Sequence, residues 1–78
     1  MKVYYGKNKE NRELIGEGTT VKECRVIMEK YIKDNNLYST PYRREWIYEG
    51  ELIVDFGSWS NYFFIPEADN YISSIVKD

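Results

Sequence analysis

The stretch RREWIYEGELIVDFGSWSNYFFI, residues 43–65 of 78, decides the fold of this chain. Its first two runs of alternating apolar and polar residues flank Glu49-Gly50, where glycine supplies the positive φ that tight hairpins need. A second turn at 57–60 leads to a third run, which Pro66 ends because proline has no N–H for the strand ladder. The stretch therefore predicts three antiparallel strands, over 43–48, 51–56 and 61–65.

Alternation along the first two runs assigns their side chains to opposite faces of the sheet. In the first run, Trp46 and Tyr48 share one face and Ile47 lies on the other. In the second run, two alternating sets face opposite ways: Leu52, Val54 and Phe56 against Glu51, Ile53 and Asp55. Because both runs carry apolar residues on each face, we expect at least one of them to be a central strand.

The segment before this stretch predicts a hairpin and a helix. Residues 2–5 and 12–18 have the pattern of two strands around a polar loop. Thr20 and Glu23 have the S/T-x-x-E spacing in which each side chain binds the other's backbone N–H at a helix start. Asn35-Asn36 is typical of a helix end in the left-handed conformation. Between these ends, one helix face collects the apolar residues Val21, Cys24, Ile27, Met28, Tyr31 and Ile32.

Beyond Pro66, apolar residues at helical spacing predict a short C-terminal helix that contains Ala68, Ile72, Ile75 and Val76. The resulting element order is ββαβββα. This order predicts an α+β fold, a mostly antiparallel twisted sheet with the main amphipathic helix and the short C-terminal helix packed on one face. A chain of 78 residues is too short for a second core, so we expect residues 1–78 to form a single small domain.

The residues that usually carry catalysis are scarce in this chain. It contains no histidine, the commonest general base and metal ligand, and its single cysteine, Cys24, lies on the apolar helix face. The letters DFG at 55–57 spell a protein-kinase triad, but the glycine-rich loop, strand lysine and catalytic loop of a kinase are missing. The carboxylates at 45–55 fit a solvated strand face better than a hydrolase pair. We therefore expect no enzymatic activity, no cofactor and no metal.

Charge is distributed unevenly along the sequence. Residues 1–44 hold ten Lys/Arg and six Asp/Glu, a net +4, whereas residues 45–78 hold one Lys and seven Asp/Glu, a net −6. Such asymmetry can steer a partner or favour self-association, unless the strand order mixes the two halves in space. The sequence has no leader pattern and no apolar run near 20 residues, so a cytoplasmic protein without a membrane span is expected.

Residues 38–46, YSTPYRREW, interleave aromatic rings with two arginines. Tyr, Trp and Arg are enriched in the hot spots of protein interfaces, so we interpret the chain as a protein-binding module. The predicted partner-binding residues are Tyr42, Arg43, Arg44, Trp46, Trp59 and Tyr62. The alternative is that the segment from Tyr38 to Trp46 binds single-stranded nucleic acid, although two arginines in an acidic protein give little phosphate neutralisation. A third hypothesis is a homo-oligomer that uses an exposed strand edge.

Trp59 lies at the predicted turn between Ser58 and Ser60. A tryptophan at such a position either packs back under the sheet or stands exposed to a partner. The sequence leaves both arrangements open, and the difference matters because only the exposed ring can act as an anchor.

The segment VDFGSWSNYFFI, residues 54–65, follows a predicted hairpin and precedes the acidic PEAD at 66–69. In this arrangement it resembles a stretch of small uncharacterised accessory proteins of phages of Gram-positive bacteria. The resemblance implies a mobile-element protein of the bacterial cytoplasm that blocks or retunes a host protein, including a defence protein. It carries no catalytic residue with it.

Overall fold

The computed structural model describes residues 1–66 and Ala68. The helix predicted around residues 72–76 lies outside this part of the chain. The described elements are β1 (Lys2–Gly6), β2 (Arg12–Glu17), α1 (Val21–Asp34), β3 (Arg44–Tyr48), β4 (Glu51–Asp55) and β5 (Tyr62–Ile65). The strands form one sheet in the order β2-β1-β5-β4-β3, and every neighbouring pair is antiparallel. The predicted α+β class with an antiparallel sheet is thus confirmed.

Strand β5 lies at the centre of the sheet and joins the N-terminal hairpin to the meander that follows the helix. On one side Tyr4 pairs with Phe64, and on the other side Ile53 pairs with the same phenylalanine. The last strand in the sequence therefore closes the sheet between the first strand and β4. The two halves of the chain therefore meet in the sheet where β1 pairs with β5.

Strand β4 is buried along its whole length, which confirms the prediction of a central strand. The hairpin between β3 and β4 turns through Glu49, at φ 51°, and Gly50, at φ 77°. Two successive positive φ values are those of a type I′ turn, whose twist matches that of the flanking strands. The sequence predicted this conformation for the glycine alone, so the left-handed glutamate is an additional finding.

Of the two hydrogen bonds predicted for the capping box of α1, the structure contains one. The hydroxyl of Thr20 accepts a hydrogen bond from the Glu23 N–H at 3.1 Å, as expected. The Glu23 carboxylate, however, accepts from the N–H and the hydroxyl of Thr19, both at 2.8 Å. The reciprocal contact with the Thr20 N–H was therefore a wrong prediction. The Thr19 hydrogen bonds lower the pKa of Glu23 below its ordinary value.

The end of α1 follows the prediction. Asn36 adopts φ 57°, and the Leu37 N–H donates to the Ile32 carbonyl at 3.0 Å. This bond folds the chain back over the last turn, where Leu37 packs against the core. The connection to β3 then runs beside the end of β4, since the Thr40 N–H donates to the Phe56 carbonyl at 3.0 Å.

The hydrophobic core lies between α1 and one face of the sheet. The predicted apolar helix face meets the inward side chains of the central strands, and the core consists of Val3, Val21, Cys24, Met28, Ile32, Leu52, Val54, Phe56, Phe63, Ile65 and Ala68. At its margin the Tyr31 hydroxyl donates to the Glu13 carboxylate at 2.9 Å. Burial and this acceptor raise the pKa of Tyr31 to about 12. In the described structure, α1 covers only this side of the sheet, which we call the helix face.

Candidate protein-binding surface

The other side of the sheet, here called the open face, carries a row of apolar side chains that crosses all five strands. Strand pairing aligns them directly, since Leu14 pairs with Tyr4, Tyr4 with Phe64, Phe64 with Ile53, and Ile53 with Trp46. The centre of this row is covered and its ends are exposed: Phe64 is 4% exposed, whereas Trp46 is 40% and Leu14 is 54% exposed. The row therefore offers its apolar surface at the edges of the sheet.

Aromatic rings stand edge to face around the centre of the open face. The ring of Tyr62 lies 5.9 Å from that of Trp46 and 6.5 Å from that of Phe64, at interplanar angles of 79° and 83°. T-shaped contacts of this kind orient rings favourably and restrict their motion. Trp46 and Tyr62 are thus held in fixed positions although both are reached by solvent.

Charged side chains lie over these rings. The guanidinium of Arg12 stands 4.3 Å above the ring of Tyr4 and 5.1 Å from that of Phe64. Its Nη1 is also 2.6 Å from Oε1 of Glu51, a carboxylate that is buried on the open face. Cation–π contact and ion pairing together fix Arg12 across three strands and cover Phe64.

The loop between β1 and β2 reaches the same carboxylate. The Nζ of Lys9 lies 3.1 Å from Glu49 and 3.3 Å from Glu51. These two carboxylates raise the pKa of Lys9 above its ordinary value. A groove of about 450 Å³ runs beneath this contact, and its lining is Lys7, Asn8, Lys9, Glu10, Trp46, Tyr48, Glu49, Glu51, Ile53, Tyr62 and Phe64. We call this space the groove.

Trp59 stands out from the turn between β4 and β5 and is 99% exposed. The arrangement in which this ring packs under the sheet is therefore excluded. Its neighbours form a second depression of about 500 Å³, the turn cleft, which is lined by Tyr5, Leu37, Tyr38, Thr40, Phe56, Gly57, Ser58 and Trp59. Tyr38, on the connection that follows α1, is also largely exposed.

Hydrogen bonds fix the turn that carries Trp59. The Gly57 N–H donates to Oδ1 of Asp55 at 2.9 Å, and the Asn61 N–H donates to the Ser58 hydroxyl at 3.3 Å. Gly57 has φ 100°, and a side chain at this position would collide with Thr40. The Gly57 hydrogen bond, followed by the Arg44 ion pair, lowers the pKa of Asp55. The fully exposed ring therefore stands on a constrained backbone.

The six predicted partner-binding residues do not form one continuous surface. Arg44, Trp46 and Tyr62 lie on the open face, and Trp59 stands on the adjoining turn. Tyr42 is exposed on the connection before β3.

Arg43 is separate, because its guanidinium binds the Glu29 carboxylate of α1 at 3.0 and 2.8 Å and also the Thr40 carbonyl. It therefore ties the connection to the helix. We did not predict the groove residues Lys9 and Glu51, or Arg12 above them, because their proximity depends on the strand order.

Ion pairs across the molecule link the basic N-terminal half to the acidic C-terminal half. Arg25 binds Glu45 at 2.8 and 2.6 Å, and Arg44 binds Asp55 at 2.7 Å. Arg12 and Lys9 of the N-terminal half likewise pair with Glu51 of the C-terminal half. The strands of the two halves stay on opposite sides of the sheet, and side-chain ion pairs rather than the strand order bring the opposite charges together.

Neither a family model, nor a curated protein, nor a solved structure matches this chain. Within residues 1–66 and 68, no helix is long and apolar enough to cross a membrane. The same residues contain no group of three or more His, Cys, Asp or Glu side chains arranged to hold a metal ion. Any assignment of function therefore depends on the geometry of the two surfaces described above.

Proposed function

We propose that this protein is a non-catalytic protein-binding module that docks on its partner through Trp59, the turn cleft and the adjoining aromatic residues of the open face. The observation that carries the proposal is the 99% exposure of Trp59 on a turn fixed by side-chain hydrogen bonds. Burying a tryptophan removes about 150–250 Å² from water, which corresponds to about 4–6 kcal/mol before the costs of association.

The constrained backbone of the turn supports this role. Ordering a loop and its side chains on binding costs affinity, at about 0.5–1.5 kcal/mol for each immobilised side chain. In this turn, the hydrogen bond from Gly57 to Asp55 and the close approach of Thr40 set the backbone before any partner arrives. The exposed ring of Tyr38 extends the apolar surface at the rim of the same cleft. A partner would therefore meet an anchor that is already in place.

The pairing of the cations favours a protein over a nucleic acid as the partner. Arg43 and Arg44, the arginines of the basic-aromatic segment, are bound to Glu29 and Asp55. Phosphate neutralisation by free Lys and Arg supplies most of the affinity of nucleic-acid binders. Binding phosphate with either arginine would release a carboxylate beside it, which opposes the negative charge of the backbone. The aromatic rings are available to either kind of partner, whereas the charges suit a protein.

The resemblance of residues 54–65 to phage accessory proteins adds a biological setting to the proposal. In this setting the protein acts in the bacterial cytoplasm, in a stoichiometric complex with a host protein such as a defence nuclease. The mechanism is occlusion, since a domain of this size that docks through a protruding ring covers the partner's working surface. The exposed turn, which lies within the resembling segment, is the part that would make the contact.

Paired substitutions test the proposed function. Trp59→Ala removes the anchor, and Val26→Ala is the matched control because Val26 is an apolar residue of α1 that is 64% exposed. Both changes should leave the fold intact, as exposed positions shift stability by about 0.5 kcal/mol or less. Loss of a hot-spot anchor costs about 2 kcal/mol or more, a factor of about 30 in affinity. We expect Trp59→Ala to lose a protein that the wild type and Val26→Ala capture from bacterial lysate.

Two results would contradict the proposal. If both variants capture the same protein as the wild type does, Trp59 is no anchor. If a single-stranded oligonucleotide binds at about 50 mM salt and its affinity falls steeply by about 200 mM, the alternative of nucleic-acid binding replaces it. Light scattering over a range of concentrations separates either outcome from self-association.

A further inference from the structure

The groove on the open face combines two kinds of groups that recognise cations. Trp46, Tyr48 and Tyr62 contribute aromatic rings, whose faces attract positive charge. Glu49 and Glu51 contribute carboxylates at the same place. The molecule already uses this chemistry once, because Arg12 lies over two rings and binds Glu51 on the open face.

A cation of the protein itself occupies the groove. Lys9 places its ammonium within 3.3 Å of both carboxylates, although it belongs to a loop that is otherwise closed by its own contacts. Asn8 forms the turn of this loop by accepting the N–H groups of Glu10 and Asn11 at 2.9 Å. The loop therefore keeps its turn when Lys9 leaves the carboxylates.

Glu49 adopts a conformation that glutamate disfavours. It sits at φ 51° in a type I′ turn, a position typical of Asn, Asp or Gly, because the left-handed region is costly for longer side chains. Glu49 nevertheless extends its carboxylate to Lys9. A residue that holds an unfavourable backbone conformation and also makes a specific contact is a candidate functional residue.

We propose that the groove recognises a basic side chain, lysine or arginine, of the protein partner, and that Lys9 holds this site in the free protein. The proposal rests on the proposed function, and it specifies the chemistry of the partner. Glu49 and Glu51 receive the incoming cation, and the rings of Trp46 and Tyr62 flank it. Lys9 swings out with its loop, so that one ammonium is exchanged for another charge of the same sign.

This exchange explains how a groove with buried Glu51 remains open to a partner. An empty groove would leave the Glu49 carboxylate without its cation and Glu51 with Arg12 alone, whereas Lys9 keeps both neutralised. The pair of Lys9 with Glu49 is exposed on both sides, and exposed pairs are weak, whereas Glu51 is buried and keeps Arg12 when Lys9 leaves. The affinity for an incoming cation is the intrinsic affinity multiplied by the fraction of molecules in which Lys9 leaves the site open. We expect that releasing Lys9 raises the affinity about two- to five-fold.

The test uses the whole protein and two defined probes, the peptide acetyl-Gly-Arg-Gly-amide and its citrulline counterpart, which has the same shape without the charge. Binding is followed by NMR through the indole N–H of Trp46, with the indole N–H of Trp59 as the internal reference outside the groove. Lys9→Gln frees the site. Lys7→Gln is the matched control, since it removes an equal charge from the same loop and the same groove lining.

We expect the arginine peptide to shift the Trp46 signal in the wild type, and the citrulline peptide to leave it in place. Lys9→Gln should bind the arginine peptide about two- to five-fold more tightly than Lys7→Gln. Glu49→Gln, at an exposed turn that folds without the carboxylate, should weaken binding in either background. The proposal is overturned if both peptides act alike, or if Lys9→Gln and Lys7→Gln bind equally. Such a result, with capture through Trp59 intact, leaves the proposed function standing.

Discussion

The two faces of the sheet are built from the same strands but differ in what covers their aromatic rings. On the helix face, Phe63 and its neighbours are sealed beneath α1, and the interior contains apolar side chains. On the open face, the next residue along the strand, Phe64, is covered by a charged side chain, Arg12, and stands beside a groove. One face holds the molecule together, whereas the other combines apolar rings with paired charges that a partner can reach.

Under the proposed function, this difference lets a small protein keep a binding surface without losing its fold. On the open face, Arg12 lies over the rings of Tyr4 and Phe64, and Lys9 pairs with the two carboxylates of the groove. The core on the helix face consists of apolar side chains alone. Under the proposed function, stability and recognition are assigned to opposite faces, and substitutions can separate them.

The largest effect should come from truncating adjacent rings on the two faces. Phe63→Ala leaves a closed cavity in the core, and we expect a loss of about 3–5 kcal/mol in the free energy of unfolding. For a domain of this size such a loss approaches the total stability. Phe64→Ala removes the same side chain from the open face, where solvent and Arg12 can fill the space, so its loss should be about 1–2 kcal/mol smaller.

Urea unfolding followed by circular dichroism measures both losses, with the dependence on urea concentration checked for each variant. An equal loss in the two variants would show that the open face supports the fold as strongly as the core does. It would also remove the separation between stability and recognition.

The sequence was sufficient for the helix and strands of the described residues and for the faces of β3 and β4. Alternation placed Trp46 and Ile47 on opposite faces of the sheet, and the Asn35-Asn36 pair predicted the end of α1. Both features could be predicted because they depend on local geometry. The strand order was not predictable, since pairing of β1 with β5 joins residues about 60 positions apart and leaves no local pattern.

The candidate site depended on that strand order. Trp46, Trp59 and Tyr62 were predicted as partner-binding residues from residue type alone, because Trp and Tyr are enriched in the hot spots of interfaces. Lys9 and Arg12 were missed, since nothing in a polar loop indicates which carboxylate it will meet. The ion pair of Arg43 was not predicted for the same reason, as its partner Glu29 lies on the helix.

An intermediate effect is expected at Asp55, which anchors the turn at one end of the open face. Asp55→Asn keeps an oxygen for the Gly57 N–H but loses the ion pair with Arg44, so we expect a loss of about 1 kcal/mol. Glu45→Gln is the control on β3, because the carboxylate of Glu45 is more exposed than that of Asp55, and breaking its pair with Arg25 should cost less than about 0.5 kcal/mol.

Acid unfolding tests the same residue. The folded protein lowers the pKa of Asp55, so its stabilisation is present above its ordinary pKa of 3.8 and is lost as the pH falls through the lower folded value. We expect the stability of Asp55→Asn to fall less steeply than that of the wild type below about pH 4. If the two proteins show the same pH dependence, the hydrogen bond and ion pair of Asp55 contribute nothing to holding the turn.

The smallest effect concerns Glu49, where the proposed recognition role and the stability of the turn make opposite demands on one residue. Asn accepts the left-handed conformation more readily than Glu does, so we expect Glu49→Asn to raise the free energy of unfolding by about 0.5 kcal/mol. Glu49→Gln removes the same charge but keeps a long side chain in the left-handed conformation. Its free energy of unfolding should therefore be unchanged or slightly lower. Both variants lose the ion pair with Lys9, so the difference between their unfolding temperatures measures the cost of the left-handed backbone conformation alone.

If they unfold at the same temperature, Glu49 carries no strain, and its carboxylate needs no functional explanation. If Asn is the more stable, glutamate at this turn lowers the stability of the hairpin while it supplies a carboxylate to the groove, as a recognition residue would.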